Sequence, residues 1–434
     1  MIPYYFNPKK SELNDLLSRE LSDDTKVKEI VQTIIDKVKN EGDDALYYFA
    51  KAFDKVELDN LFVTEEEFEQ CDKIVDSDLK NAINRAKTNI EKFHKAQLLD
   101  GEIVEIEEGI NLSRKIVPID KVGLYVPGGT APLFSTVLML GIPAKVAGCR
   151  EIILATPPTK DGSVNPVVLY TAKLIGIKKI IKSGGAGAIA ALSYGTQTIS
   201  KVDKIFGPGN RFVSYAKMIL SSRTSIDMLA GPSEVMVVAD KDTNPSFAAS
   251  DFLSQAEHGL DSQSILLILA NKEDSEEFKN RFIEEVEAQL DTLDRKDYLL
   301  SSLSNSKIIA TDTQENCIEI INEYAPEHLV LNLAKAKDIC NYINNAGSIF
   351  IGPYACESAG DYASGTNHTL PTSGWAKSVS GVSTDSFLKK ITIQEISYEG
   401  LKSLGKTIVT MAEGESLMAH ANSVKVRLKE NKND

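Results

Sequence analysis

The stretch KVGLYVPGGTAPLFSTVLMLGIPAKVAGCREIILA, residues 121–155, decides the fold. Its ends, VGLYV and EIILA, are short apolar runs of the kind that form buried strands. The apolar segment between them is interrupted by Pro132, Pro143 and Lys145, which makes it a buried helix and too broken for a membrane span. Strand, helix and strand make one βαβ unit. The alternation continues through KKIIKS, DKIFG and EVMVVA, separated by helical segments or glycine-rich turns. It then appears again as SILLILA, KIIAT, LVLNL and SIFIG, alternating with charged helices such as EDSEEFKNRFIEEVEAQL. Two α/β units with parallel sheets under helices are the simplest account.

Upstream, Val27, Ile30, Val31, Ile34, Ile35 and Val38 recur at helical spacing, and Gly42 is the expected stop. A second amphipathic helix is expected from about Leu79 to Leu98, with His94 in a packing or rim position. After Gly352, PYACESAGDYASGTNHTLPTSGW has no hydrophobic period and reads as a long functional loop. Helices near QEISYEGLKSLGKTIVTMA and ESLMAHANSVKVRLKE close the chain.

Composition narrows the function. A formal charge of -14 and a pI near 5.0, with no stripe of Lys and Arg, argue against a nucleic-acid partner and for a small molecule. The N-terminal MIPYYFNPKK lacks the basic-then-apolar order of a signal peptide, so a cytoplasmic location is expected. Five cysteines without CxxC spacing fit reduced thiols.

Several constellations can carry chemistry, each with a plain alternative. YAPEHLV, 324–330, sets Glu327 beside His328, either a proton-handling pair or a polar corner between helix and strand. In SDFLSQAEHG, Gln255 and His258 share a helix face that Gly259 would end, suiting two ligands of one cation or a polar surface. Asp361 and His420 are the candidate distant partners, and such donors suit zinc or a similar divalent ion. FGPGN leads into a helix that Asn210 caps or that uses Asn210 on an anion. Tyr125 stands at a strand end, where ligands of α/β sheets bind. GGAGAIA contains GxGxxA in Gly185, Gly187 and Ala190, with Asp203 at the distance of a ribose-binding acid, although Gly-Ala helix starts are common. Cys149 and Cys356 lack any local partner that would activate a nucleophile.

Taken in order, LYVPGGTAPLFSTVLML, KIFGPGNRFV, AGPSEV, SQAEHG, YAPEHL, ESAGDYASGTNHTLPT and AHANSV resemble the histidinol dehydrogenase family over nearly the whole chain. The resemblance implies NAD-dependent, zinc-containing oxidation of L-histidinol through L-histidinaldehyde to L-histidine. It implies zinc held by Gln255, His258, Asp361 and His420, the last supplied by the other subunit of an intertwined homodimer. Substrate contacts would be Ser233, Gln255, His258, His328, Asp361, Glu415 and His420; NAD contacts would be Tyr125 and Asn210. The pair Glu327 and His328 would do the acid–base work, His328 on the alcohol and Glu327 on the water that attacks the aldehyde. One departure stands out: the family's NAD-contacting glutamine in GGAQAIAA is matched here by Gly187.

The expected fold is α/β, with two Rossmann-like parallel-sheet domains and small helical N- and C-terminal extensions. The expected boundaries are 1–24 for an N-terminal helical segment, 25–125 with 234–381 for the first domain, 126–233 for the second, and 382–434 for a C-terminal helical segment. Rival readings are a paralogous dehydrogenase of another small amino or sulfonated alcohol, a zinc hydrolase using Glu327 and His328 on water, and a non-catalytic metal-binding relative.

Overall fold

The computed structural model describes residues 2–19, 25–128, 132–229 and 231–430. The middle of the YVPGGTAP loop, Ala230 of AGPSEV and part of the expected N-terminal segment lie outside the described residues. The chain divides into two compact units, Met1–Gln97 with Asp120–Ser386, and Leu98–Ile119 with Phe387–Asp434.

Numbered along the chain, the strands are β1 (Tyr4–Phe6), β2 (Ile103–Glu107), β3 (Ile110–Pro118), β4 (Lys121–Tyr125), β5 (Glu151–Thr156), β6 (Lys179–Lys182) and β7 (Lys204–Phe206). They continue as β8 (Ser225–Ile226), β9 (Glu234–Ala239), β10 (Gln263–Leu269), β11 (Lys307–Thr311), β12 (His328–Asn332), β13 (Ser348–Ile351) and β14 (Leu388–Ile396). The larger unit holds two wholly parallel sheets, ordered β6-β5-β4-β7-β8 and β1-β11-β10-β9-β12-β13. Leaving β1 aside, each sheet runs 3-2-1-4-5 in its own strand count, so in each the order reverses between its first and fourth strands. All nine apolar runs read from the sequence are strands here.

Both faces of these sheets are covered, which is why their strands are continuously apolar rather than alternating. In the six-stranded sheet Val235, Val237, Leu266, Ile268 and Val330 pack into one core. Their neighbours Met236, Val238, Ile265, Leu267 and Leu329 pack into the core on the opposite face. Each such side chain contributes roughly 1.5–3 kcal/mol on burial, which offsets the cost of the charged groups placed at the strand ends. The segment Phe134–Ala147 is a helix with Val137–Leu140 buried all round, as its composition implied. Among the described residues no helix is long and apolar enough to cross a membrane.

Four local expectations are revised. Thr25–Glu41 is a helix, but Gly42, at φ +61, begins the next helix instead of merely ending this one. The N-terminal segment is not only helical: the aromatic run Tyr4–Phe6 adds an edge strand to β11 before the helix Lys10–Leu16. The C-terminal segment likewise begins with β14, an alternating strand that joins β3 and β2 in an antiparallel sheet. In the long polar loop, Glu357–Tyr362 forms a short helix. Helix Thr25–Glu41 packs Val31, Ile34 and Ile35 into the same core as Ala188 and Ile189, and β4 pairs with β5 and β7. Residues on both sides of the boundary expected at 125/126 therefore build the five-stranded sheet and its cover.

Candidate active site

A cleft in the larger unit opens at the points where the two strand orders reverse. One wall is Gly207 to Gly209, leaving the carboxyl end of β7; the other includes Ser233, ahead of β9, and Glu327, ahead of β12. The five-stranded sheet thus presents its carboxyl edge, the usual ligand edge of an open α/β sheet. The six-stranded sheet presents its amino edge.

Chain geometry makes that amino edge chemically rich. Helix Gln314–Tyr324 ends in Ala325 at φ +51, Pro326 follows, and Glu327 turns directly into β12, whose first residue is His328. Gly347 permits this turn, because a Cβ there would stand 2.6 Å from the Glu327 carbonyl oxygen. The backbone of Glu234, first residue of β9, receives both side chains. Its N–H donates to Glu327 Oε2 at 2.9 Å, and His328 Nδ1 lies 3.2 Å from its carbonyl oxygen. A carbonyl only accepts, so Nδ1 carries a proton and Nε2 is the nitrogen free to take one. Nε2 has no hydrogen-bond partner and faces Asp361 Oδ1 at 3.4 Å.

Carboxylates surround this imidazole. Glu327 Oε2 and Glu357 Oε1 each lie 3.7 Å from Nδ1. Burial opposes the charged imidazolium, but Glu327, Glu357 and Asp361 together outweigh it and hold the His328 pKa up to about 10. Burial pushes Glu327 and Glu357 each up to about 8, against the pull of His328. Asp361 is also buried, yet its contact with His328 outweighs this and keeps it below the ordinary carboxylate value.

The other predicted donors arrive from helix ends. Gln255 lies in the last turn of Pro245–Ala256, fully buried, with neither amide atom hydrogen-bonded. His258 is not on that helix, which ends at Ala256; its N–H bonds the Gln255 carbonyl, and its imidazole, 40% exposed, reaches Asp361 Oδ2 at 3.8 Å. The negative end of a helix dipole favours a cation there. His258, Glu357 and Asp361 bring one ligand atom each to within 4.8 Å of one another. Glu357 was passed over in the sequence; the signal was its four-residue spacing from Asp361, which puts both on one face of Glu357–Tyr362. His368, which marked the loop as functional in the sequence, was given no role there. It anchors this helix by donating from Nδ1 to the Asp361 carbonyl at 3.0 Å, while Nε2 lies 3.2 Å from the Thr136 hydroxyl. Glu415 and His420 belong to the smaller unit, where both are exposed.

At the other edge, Tyr125 ends β4 and its hydroxyl accepts the Gly185 N–H at 3.0 Å. Asn210 caps Arg211–Leu220 through its side-chain oxygen, which accepts the Val213 N–H at 3.2 Å. Asp203 is unsuited to a ribose: its carboxylate accepts the Lys121 N–H at 3.1 Å, at the amino end of β4 and so at the wrong edge of the sheet. His94 is buried packing, with Nδ1 donating to the Ile90 carbonyl at 2.8 Å. Burial pushes the Cys149 thiol up to about 12, leaving no thiolate for nucleophilic work near neutral pH.

Gly187 is buried, and a Cβ on it would lie 3.2 Å from the Phe49 ring and 3.7 Å from Leu46. Helix Asp43–Phe49 therefore leans on the position where a glutamine was expected. Gly187→Gln is expected to lower stability by about 1–3 kcal/mol through overpacking, read from a urea midpoint; an unchanged midpoint would show that Phe49 yields without cost.

Parallel sheets meeting at a cleft, with Glu327 in its wall and His328, Glu357 and Asp361 clustered beside it, define a mixed α/β enzyme with proton-transfer and cation-binding capacity. Comparison with known proteins makes this specific. The histidinol dehydrogenase family matches residues 17–428. A histidinol dehydrogenase of Bacteroides fragilis is 51% identical over 424 residues, 98% of each chain. One of Campylobacter jejuni is 47% identical over 428 residues, again 98% of each. The crystal structure of histidinol dehydrogenase from Elizabethkingia anophelis superposes with a TM-score of 0.96 at 49% identity, covering 99% of each chain. The chain belongs to the histidinol dehydrogenase family and is an oxidoreductase of histidine biosynthesis.

Proposed function

We propose that the chain oxidises L-histidinol to L-histidine through L-histidinaldehyde, with Glu327 and His328 as its proton-transfer residues. The observation that carries this is the placement of the pair: both are buried, both are held by the Glu234 backbone, and Glu327 lines the cleft.

The donors fit a divalent ion. Gln255 Oε1, Glu357 Oε1 and Asp361 Oδ1 are buried without hydrogen-bond partners, a costly arrangement that a cation would relieve. We assign Gln255, His258 and Asp361 to hold zinc, with His420 supplied by a second copy of the chain. Zinc supplies a Lewis-acidic anchor for the substrate's imidazole and amino nitrogens, and NAD+ supplies the hydride acceptor for both oxidations. Ser233, Glu415 and His420 complete the substrate contacts, and Tyr125 and Asn210 those to NAD+. A homodimer is consistent with the smaller unit's sheet, where Ile103, Ile391 and Ile393 share one face and remain exposed. The two parallel sheets, with their common order, suit Rossmann-like domains.

In the first oxidation His328 Nε2, left free once a divalent ion held at Asp361 offsets the carboxylate charge that raises the His328 pKa, accepts the hydroxyl proton as hydride passes from the carbinol carbon to NAD+. In the second, the Glu327 carboxylate takes a proton from the water that adds to the aldehyde, and the hydrate loses the next hydride. Zinc-loaded protein is accordingly expected to form two NADH per L-histidinol. Glu327→Gln is expected to slow the second step by about 10²–10⁴-fold, the usual contribution of a positioned base, so that a single turnover stops near one NADH with aldehyde trapped by semicarbazide. Two NADH at the wild-type rate from that variant would remove Glu327 from the mechanism. Turnover only on another amino alcohol would move the substrate to a paralogous one.

A further inference from the structure

Beneath the FGPGN loop lies an ion pair that the proton-transfer chemistry does not use. Lys217, on helix Arg211–Leu220, meets Asp227, which follows β8; their side chains are 2% and 1% exposed. Burying two charges is a poor way to stabilise a fold, since apolar side chains of the same volume serve packing at least as well. The pair's hydrogen bonds show another use. Lys217 Nζ donates to the Gly207 carbonyl at 2.9 Å, and Asp227 Oδ2 accepts the Gly207 N–H at 2.7 Å. Asp227 Oδ1 also accepts the Met228 N–H at 2.7 Å.

Both peptide groups of one residue are therefore held by one ion pair. That residue has just left β7, so it has no sheet partner, and it adopts φ +126. A Cβ on Gly207 would stand 2.1 Å from the Tyr125 carbonyl oxygen, so the end of β4 presses directly on it. Three residues later Asn210 opens the helix that carries Lys217. The clamp thus ties together the end of β4, the glycine loop and the helix cap. The same loop, with Asp227 itself, forms the cleft wall opposite Ser233 and Glu327.

We propose that Lys217 and Asp227 are positioning residues for NAD+: they fix the 207–210 backbone against Tyr125, so that the dinucleotide meets a preorganised loop. This rests on the assignment of Tyr125 and Asn210 to NAD+. A loop held in place before binding loses little freedom on binding, and a displacement of about 1 Å can cost about 10²-fold in a reaction that depends on alignment.

The test compares wild type with the uncharged double variant Lys217→Met/Asp227→Asn, which leaves no orphaned charge, and with Lys217→Arg, which keeps the charge but moves the donors. The full-length zinc-loaded proteins are titrated with NAD+ and separately with L-histidinol by calorimetry, alongside melting curves and both KM values. Expected are folded variants whose Kd and KM for NAD+ rise at least about tenfold, with those for L-histidinol within about twofold. Wild type that fails to bind NAD+ would refute the NAD+ assignment itself. Wild type that binds, with folded variants binding equally well, would overturn the positioning role alone. Equal weakening for both ligands, or failure of both variants to fold, would make the pair a general stability element and overturn it too.

Discussion

Replacing His328 by alanine is expected to cut histidinol-dependent NADH formation by about 10²–10⁴-fold, the usual contribution of a positioned acid–base group. Nδ1 is committed to the Glu234 carbonyl, so Nε2 is the site where the alcohol proton can go, and no other imidazole shares its position in the cluster. His258 is exposed by 40% and faces Asp361; His368 is held at both nitrogens. Activity within tenfold of wild type would remove His328 from the first oxidation. A second readout follows from its charge. In metal-free protein the folded pKa of about 10 exceeds the ordinary 6.5, so the stability it contributes is complete below about 6.5 and is lost as pH rises towards 10. Melting curves of the alanine variant should lack that decline.

The largest stability effect is expected at Arg19. Its guanidinium grips the Glu234 carboxylate with two bonds, of 2.6 and 2.8 Å, donates to the Tyr324 carbonyl at 2.8 Å, and lies 4.1 Å above the Tyr324 ring. The Glu234 side chain is 2% exposed, so Arg19→Met leaves a buried carboxylate that, among the described residues, keeps the Ser373 N–H against it. Removing one partner of a buried pair costs about 3–5 kcal/mol, and denaturant unfolding should show a loss of that size. Because the Glu234 backbone carries Glu327 and His328, turnover should fall as well. A loss under about 1 kcal/mol would mean that the pair behaves as a surface bridge.

The sequence alone determined the nine strands, because a parallel sheet covered on both faces requires unbroken apolar runs, and those are visible one residue at a time. It also singled out Glu327 with His328 and Gln255 with His258, since adjacent or helix-spaced donor types are a local signal, and named Asp361 as a distant partner from the long polar loop. Glycine cannot report its partner: that Gly187 lies under Phe49, and that Gly207 is gripped at both peptide groups, depends on residues well over a hundred and about ten to twenty positions away respectively. Glu357 and His368 lie in a stretch without hydrophobic period, where the spacing of Glu357 from Asp361 shows only once Glu357–Tyr362 is known to be helical, and His368 falls outside that helix.

Tertiary structure alone decided the edge on which each group falls. Asp203 stood at the spacing of a ribose acid, yet the strand direction put it at the amino end of β4. Glu327 and His328 stood at the amino end of β12, and became a candidate site because Glu234, Asp361 and Glu357 converge there. Spacing along a chain fixes which residues share a face; which faces meet is settled only when hydrophobic burial packs the sheets, and the pKa values follow from that enclosure.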